Sequence, residues 1–186
     1  MLASNLDKNK YKNICIIDAN AKLAPKIKVS GGAKCNITNE LVTCKNYLGD
    51  TQFVKELLEK FSKDDLLAFL NKNGVFPKIN PKIVKGTYFC DSSQDVIDMF
   101  TKLTTHVKKY LNTTVLDIEF NKHYKIKTDT KLIEAKKVVV ASGGLSYAML
   151  GASGIGFDIA KKFGHTINKL EPALVGFTVQ KEQFWF

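Results

Sequence analysis

Three short stretches carry residue types that could handle an anionic nucleotide. The first is Asp18, which closes the apolar run Ile14-Cys15-Ile16-Ile17. A carboxylate at the carboxyl end of a buried strand can accept hydrogen bonds from ribose hydroxyls, as in dinucleotide folds. It can equally well just end a strand, and the residue alone does not choose. The second runs from Lys26 to Asn39 and contains Ser30-Gly31-Gly32-Ala33-Lys34-Cys35-Asn36. Adjacent glycines let backbone N–H groups converge on an anion, and the lysines supply charge. An ordinary polar loop would use the same residues. The third is Ala141-Ser142-Gly143-Gly144-Leu145-Ser146-Tyr147, followed by Gly151, Gly154 and Gly156. Glycines after an apolar strand mark the sheet edge where ligands bind. For the last three glycines, close helix–strand packing is the better explanation than a phosphate seat.

These stretches need a frame. Ile14–Asp18 reads as a parallel strand buried on both faces, with a helix stub at Leu2–Leu6 before it and no evident neighbour. Residues 51–73 show helical spacing at Phe53, Val54, Leu57, Leu58 and Phe61, then a new start at Ser62 with Asp64 and Asp65, ending at Asn73-Gly74. Val75–Phe89, with Pro77 and Pro81, predicts irregular or edge-strand structure. Ser92-Ser93-Gln94-Asp95 predicts a capped helix with Val96, Ile97, Phe100 and Leu103 on one face. A β-meander is predicted over about 113–135, a second buried strand over Lys137–Ala141, and a helix from Phe157 to Gly164. This order fits an α/β fold: a Rossmann-like parallel sheet with a β-meander as its crossover.

Composition narrows the class. The chain has 186 residues, 45% of them hydrophobic and 25% charged, as in an ordinary globular domain. No apolar run is long enough to span a membrane, and Met1–Asp7 lacks the pattern of a signal peptide, so the expected compartment is the cytoplasm. Cysteines 15, 35, 44 and 90 form no C-x-x-C pair, which argues against zinc or a disulfide framework and for reduced, mostly buried thiols. The net charge is +10, yet every one of the 28 basic residues is lysine. Without arginine for bidentate contacts, and with the lysines scattered, a basic nucleic-acid-binding module is a remote reading. His165 follows a helix-ending glycine and reads as a loop or capping residue. No catalytic acid or base is assigned, and Trp185 is given no role.

Taken together, the three stretches resemble bacterial flavoproteins of the aminoacetone oxidase-like or BaiN-like NAD(P)/FAD-dependent oxidoreductase family. Ser30–Asn39 is similar to the family's S-G-G-G-R-C-N-x-T-N. Ala141–Gly156 is similar to its A-T-G-G-x-S-Y-x-x-x-G-S-T-G-x-G, and Gly164-His165-Thr166 and Pro172-Ala173-Leu174-Val175 match its G-H-T and P-A-L-V. The likeness runs from about Leu2 to Phe177. It implies bound FAD, with NAD(P)H as a candidate electron donor and an unidentified small-molecule substrate. Asp18 would hold the adenosine ribose. Ser30, Gly31, Gly32, Lys34, Cys35 and Asn36 would lie along the pyrophosphate and flavin. Ser142, Gly143 and Gly144 would lie close to the dinucleotide, with the Val115 backbone near the adenine. Four positions depart from the family: Ala33 and Lys34 replace Gly and Arg, and Thr87 and Cys90 stand where a G-R-V-F-P stretch has Arg and Pro.

The family also places a strand and a G-G-G-x-x-G turn ahead of the ribose acid, and no counterpart precedes Asp18. Residues 1–178 are therefore expected to be an FAD-binding domain lacking its first strand. Residues 179–186, ending Gln183-Phe184-Trp185-Phe186, would begin a following region. The rival expectation is a non-catalytic fragment unable to hold FAD stably, with an exposed sheet edge.

Overall fold

A computed structural model describes residues 1–79 and 85–172 of the chain. Pro81, most of the Pro172–Val175 motif and the aromatic ending at Phe186 lie outside the described residues.

Leu2–Asn5 forms the expected helix stub, α1. Strand β1, Cys15–Ile17, does have a neighbour: it pairs in parallel with β5, Lys108–Tyr110, through Cys15–Lys108, Ile16–Lys109 and Ile17–Tyr110. The sequence pattern concealed β5 because Lys108-Lys109-Tyr110 is neither apolar nor alternating. β1 is not buried on both faces. Cys15 is exposed and Ile16 and Ile17 are half-buried; β5 pairs along one edge and no described strand pairs along the other.

Helix α2, Pro25–Val29, starts with proline at its first turn, where the missing N–H costs nothing. The expected loop after it is only partly a loop. Asn36–Asn39 is strand β2, which pairs antiparallel with Thr87–Phe89, and that strand pairs in turn with the two-residue strand Lys78–Ile79. In chain order these last two are β4 and β3, the edge structure anticipated for Val75–Phe89.

Between them stand two helices, α3 (Thr51–Lys60) and α4 (Lys63–Lys72). Asp50 caps α3 through the Phe53 N–H. Ser62 caps α4 in a reciprocal box with Asp65, whose carboxylate accepts from the Ser62 N–H at 2.8 Å and the Ser62 hydroxyl at 2.7 Å. Those hydrogen bonds hold the Asp65 carboxyl below the usual carboxylate range. Gly74, at φ +84, ends α4 as anticipated. The apolar side of α3 stays largely open, with Phe53, Leu57 and Phe61 exposed. Helix α5, Ser93–Leu103, begins at the Ser92 cap and buries Val96 and Met99.

The meander forms as expected: β6 (Val115–Asn121), β7 (His123–Thr128) and β8 (Leu132–Ala135), joined in antiparallel order. Residues 137–141 differ from expectation. They make no strand pairing, and Val139 and Val140 are exposed, so the second buried strand is not formed among the described residues. Apolar β-branched residues favour extended backbone, but a strand also needs a partner for its ladder, and none is described beside them. Helix α6, Ile155–Lys162, follows.

Two apolar clusters hold these pieces. Cys35, Leu70, Val75, Cys90, Val96 and Met99 form one, beneath β2, β4 and α5. Ile118, Ile126 and Ile159 form the other, where Ile17 and Val138 pack against the meander and α6. Lys162 reaches from α6 to Asp117 on β6 at 2.6 Å, and this contact lowers the Asp117 carboxyl from its ordinary value.

Candidate functional site

Asp18 follows β1 directly. One of its carboxylate oxygens accepts from the Asn20 backbone N–H at 2.9 Å and from the Asn20 amide at 3.0 Å. No described residue donates to the other oxygen, which remains available to a hydroxyl. The Asp18 N–H donates to the Tyr110 carbonyl, and the Asp18 carbonyl accepts from Thr113, so the acid sits at the carboxyl end of the parallel pair. The Thr113 contact also brings Val115, the first residue of β6, into this neighbourhood.

Asn20 was not singled out in the sequence, yet it joins two of the three stretches. Its amide donates to the Leu150 carbonyl at 3.3 Å. A Cβ on Gly151 would stand 2.6 Å from the same amide nitrogen. Gly151 therefore answers to close approach, as does Gly156, where an added Cβ would strike Ser142 Oγ and lie 3.4 Å from Val140. Close packing thus accounts for Gly151 and Gly156, whereas at Gly154 a Cβ would meet only ordinary contacts, the nearest 3.8 Å away on Leu145. The Asp-x-Asn spacing, which favours a side-chain-closed turn, was the signal available for Asn20.

Ser142, Gly143 and Gly144 form an open turn. Gly143 has φ +75, and its Cβ position lies 3.8 Å from the Lys26 ammonium on α2. An ammonium beside an exposed glycine turn is suited to a phosphate, and Lys26 was not given this place by the sequence reading. Residues 147–151 thus lie against Asn20, and residues 142–144 lie beside α2.

The loop at the end of α2 has an unusual backbone. Gly31, Gly32, Ala33 and Cys35 all take positive φ, at +58, +63, +68 and +55. The Cys35 N–H donates to the Ser30 carbonyl at 2.9 Å and the Lys34 N–H to the Gly31 carbonyl at 3.3 Å. The Asn36 N–H donates to the Ser30 hydroxyl. The N–H groups of Gly31, Gly32 and Ala33 find no acceptor among the described residues, and Gly32, Ala33 and Lys34 are exposed. Unpaired N–H groups on a left-handed turn form a concave cradle for an anion. Gly31 must be glycine, since a Cβ would run into the Asn36 side chain. From behind, Ser93 fixes the loop by donating its N–H to the Ala33 carbonyl at 2.8 Å and its hydroxyl to the Lys28 carbonyl at 3.0 Å.

Cys35 itself points inward, buried in the apolar cluster with Cys90. Burial pushes its thiol above the ordinary value. It belongs to the loop's support and presents no sulfur at the open face. His165 serves as a loop residue, its N–H donating to the Ala160 carbonyl at the end of α6. No group of three or more histidine, cysteine or acidic side chains among the described residues could hold a metal. No described helix is long and apolar enough to cross a membrane.

A parallel strand pair with an acid at its carboxyl end, a glycine-rich loop of unpaired N–H groups after α2 and a β-meander packed against α6 fit a Rossmann-type domain. The chain belongs to the HI0933-like protein Rossmann domain family, whose pattern matches residues 1–179. It is 32% identical over 186 aligned residues to a ribosomal RNA dihydrouridine synthase of Escherichia coli (strain K12), covering 97% of this chain and 46% of that protein. It is 29% identical over 178 residues to a 3-dehydro-bile acid delta(4,6)-reductase of Clostridium scindens, covering 92% and 42%. A ribosomal RNA dihydrouridine synthase of Haemophilus influenzae is 30% identical over 182 residues, covering 91% and 44%. The chain thus spans less than half the length of each of these relatives.

Proposed function

We propose that this chain is the flavin-dinucleotide-binding part of an FAD-dependent oxidoreductase that takes its electrons from NAD(P)H. The observation that carries this reading is the free oxygen of Asp18 at the carboxyl end of the parallel strand pair, in a chain that also carries an exposed turn of unpaired N–H groups at Gly31–Ala33. In this reading Asp18 accepts from the adenosine ribose. The N–H groups of Gly31, Gly32 and Ala33, with Lys26 and Lys34, face the pyrophosphate. Ser142, Gly143 and Gly144 leave room for the dinucleotide to pass, and Val115 lies towards the adenine. Bound flavin would supply the redox chemistry, and these residues bind and orient it. A cytoplasmic setting accords with the four free thiols.

The test is to titrate the labelled chain with millimolar FAD and follow its backbone amide resonances. Shifts clustered at residues 18–20, 31–36 and 142–144 are expected. Saturable shifts confined to other surfaces, or none, would overturn the assignment.

A second reading concerns the substrate. Two of the three relatives act, by their names, on ribosomal RNA, and the net charge of +10 suits a polyanion even without arginine. The reading sets aside the sequence-based preference against nucleic acid. It requires binding to structured RNA that weakens steeply with salt, as measured by filter retention. Salt-independent binding would remove it.

A further inference from the structure

We propose that Cys35 and Cys90 form an oxidisable dithiol that closes to a disulfide and clamps the Ser30–Asn36 loop to the start of α5. The inference goes beyond the flavin reading and does not depend on it. Strands β2 and β4 pair antiparallel with Asn36 opposite Phe89. Cys35 precedes Asn36 and Cys90 follows Phe89, so the two cysteines flank the same end of the ladder on neighbouring segments. The chains stay together there, since the Cys90 N–H donates to the Lys34 carbonyl at 2.8 Å. A disulfide spans about 4.4–6.8 Å between Cα atoms, and the Lys34–Cys90 backbone hydrogen bond brings the two cysteine backbones close together.

Both side chains also point the same way. Each is almost wholly buried, at 5% and 4% exposure, in one cluster with Leu70, Val75, Val96 and Met99. Burial and the neighbouring Cys35 push the Cys90 thiol up to about 11. Both thiols therefore react more slowly than one open to solvent, such as Cys15. Cys90 is also one of the positions where this chain departs from the family it resembles, which has proline there, so the pair is a feature of this sequence.

The oxidant is a hydroperoxide, taken here as hydrogen peroxide. One thiolate attacks a peroxide oxygen, the O–O bond breaks, and a sulfenic acid and water result. The second thiol then attacks the sulfenic sulfur, forming the S–S bond and releasing a second water. Two thiols and one peroxide give one disulfide and two waters, so the sulfurs lose two electrons and the peroxide gains them. A closed bond would fix Cys35, whose left-handed backbone ends the anion cradle, to the residue two before Ser92, the cap of α5.

The experiment treats the chain with hydrogen peroxide and blocks the remaining thiols in denaturant. It is then digested with trypsin and a glutamate-specific protease, and cleavage after Glu40 separates Cys35 from Cys44. A disulfide-linked pair of peptides carrying Cys35 and Cys90 is expected, lighter than the two free peptides by two hydrogens. In a portion of the peroxide-treated chain kept folded and undigested, the thermal midpoint should rise, and a reducing agent should return it to the starting value. In C90S, Cys35 should remain free to alkylate. Recovery of Cys35 and Cys90 as separate alkylated or over-oxidised peptides, while Cys15 has reacted, would overturn the proposal. So would cross-links that join Cys35 or Cys90 only to Cys15, to Cys44 or to another molecule.

Discussion

Replacing Ala33 with glycine should stabilise this protein, although it removes a side chain. Ala33 sits at φ +68 within a run of left-handed residues, and the resembled family has glycine at this place. An L-residue with a Cβ pays about 1–2 kcal/mol in that conformation. Glycine returns about 0.4–1 kcal/mol of that through the greater freedom of its unfolded chain. The difference is about 0.8 kcal/mol in favour of A33G. For a chain of this length about 1 kcal/mol moves the melting midpoint by roughly 2–4 °C, so A33G should melt about 2–3 °C higher.

Two neighbours serve as controls. G32A should lose about 0.8 kcal/mol, because its φ is +63 and nothing lies within 4 Å of the new Cβ. G31A should lose about 2–4 kcal/mol, since the same backbone cost is joined by overlap with the Asn36 side chain and a backbone nitrogen at 3.1 Å. Urea denaturation of the four proteins measures the series. An A33G protein no more stable than the parent, together with a harmless G32A, would show that this loop is not left-handed in solution.

G151A should lose stability by about 1–3 kcal/mol through its approach to Asn20, and N20A should recover part of that loss in the double variant, as a denaturant cycle would show. The thiols of Cys35 and Cys90 are both raised by burial, so the folded state keeps protons that the unfolded state gives up. Their contribution is intact below about pH 9 and falls as pH rises, for Cys90 towards about 11, and replacing Cys90 with serine should flatten that decline. Asp117 is held low by Lys162, so its contribution is present above the ordinary carboxylate pKa and is lost as the solution is acidified through the depressed value. Stability curves of the parent and D117N should therefore converge at acid pH, read by circular dichroism.

The helices and the meander were legible in the sequence because their signals are local. Ser62 with Asp65, Ser92 ahead of Val96, and the Asn73-Gly74 stop each act within about one turn of backbone. The strands of the sheet were harder, since a strand is defined by its partner. Lys108-Lys109-Tyr110 carries no strand signal and pairs with β1, whereas Val138-Val139-Val140 carries a strong one and pairs with nothing described. Of the candidate site, Asp18, the Ser30–Asn36 loop and the Ser142–Gly144 turn were found from residue type. Asn20 was not, and Lys26 was placed only with its own loop, because their links to Leu150, Gly151 and Gly143 join residues more than a hundred positions apart. Cys35 lay within the correct loop, but its burial depends on β4 and α5.

The central claim is that Asp18 reads the adenosine ribose of FAD, and its most direct measurement compares FAD with FMN, which lacks the adenosine. Flavin fluorescence titrations of the parent chain and D18A should show FAD weakened about tenfold in the variant, the loss of one hydrogen bond to a charged group, with FMN unaffected. Equal FAD affinity in the two proteins, or an equal loss for both flavins, would contradict the account.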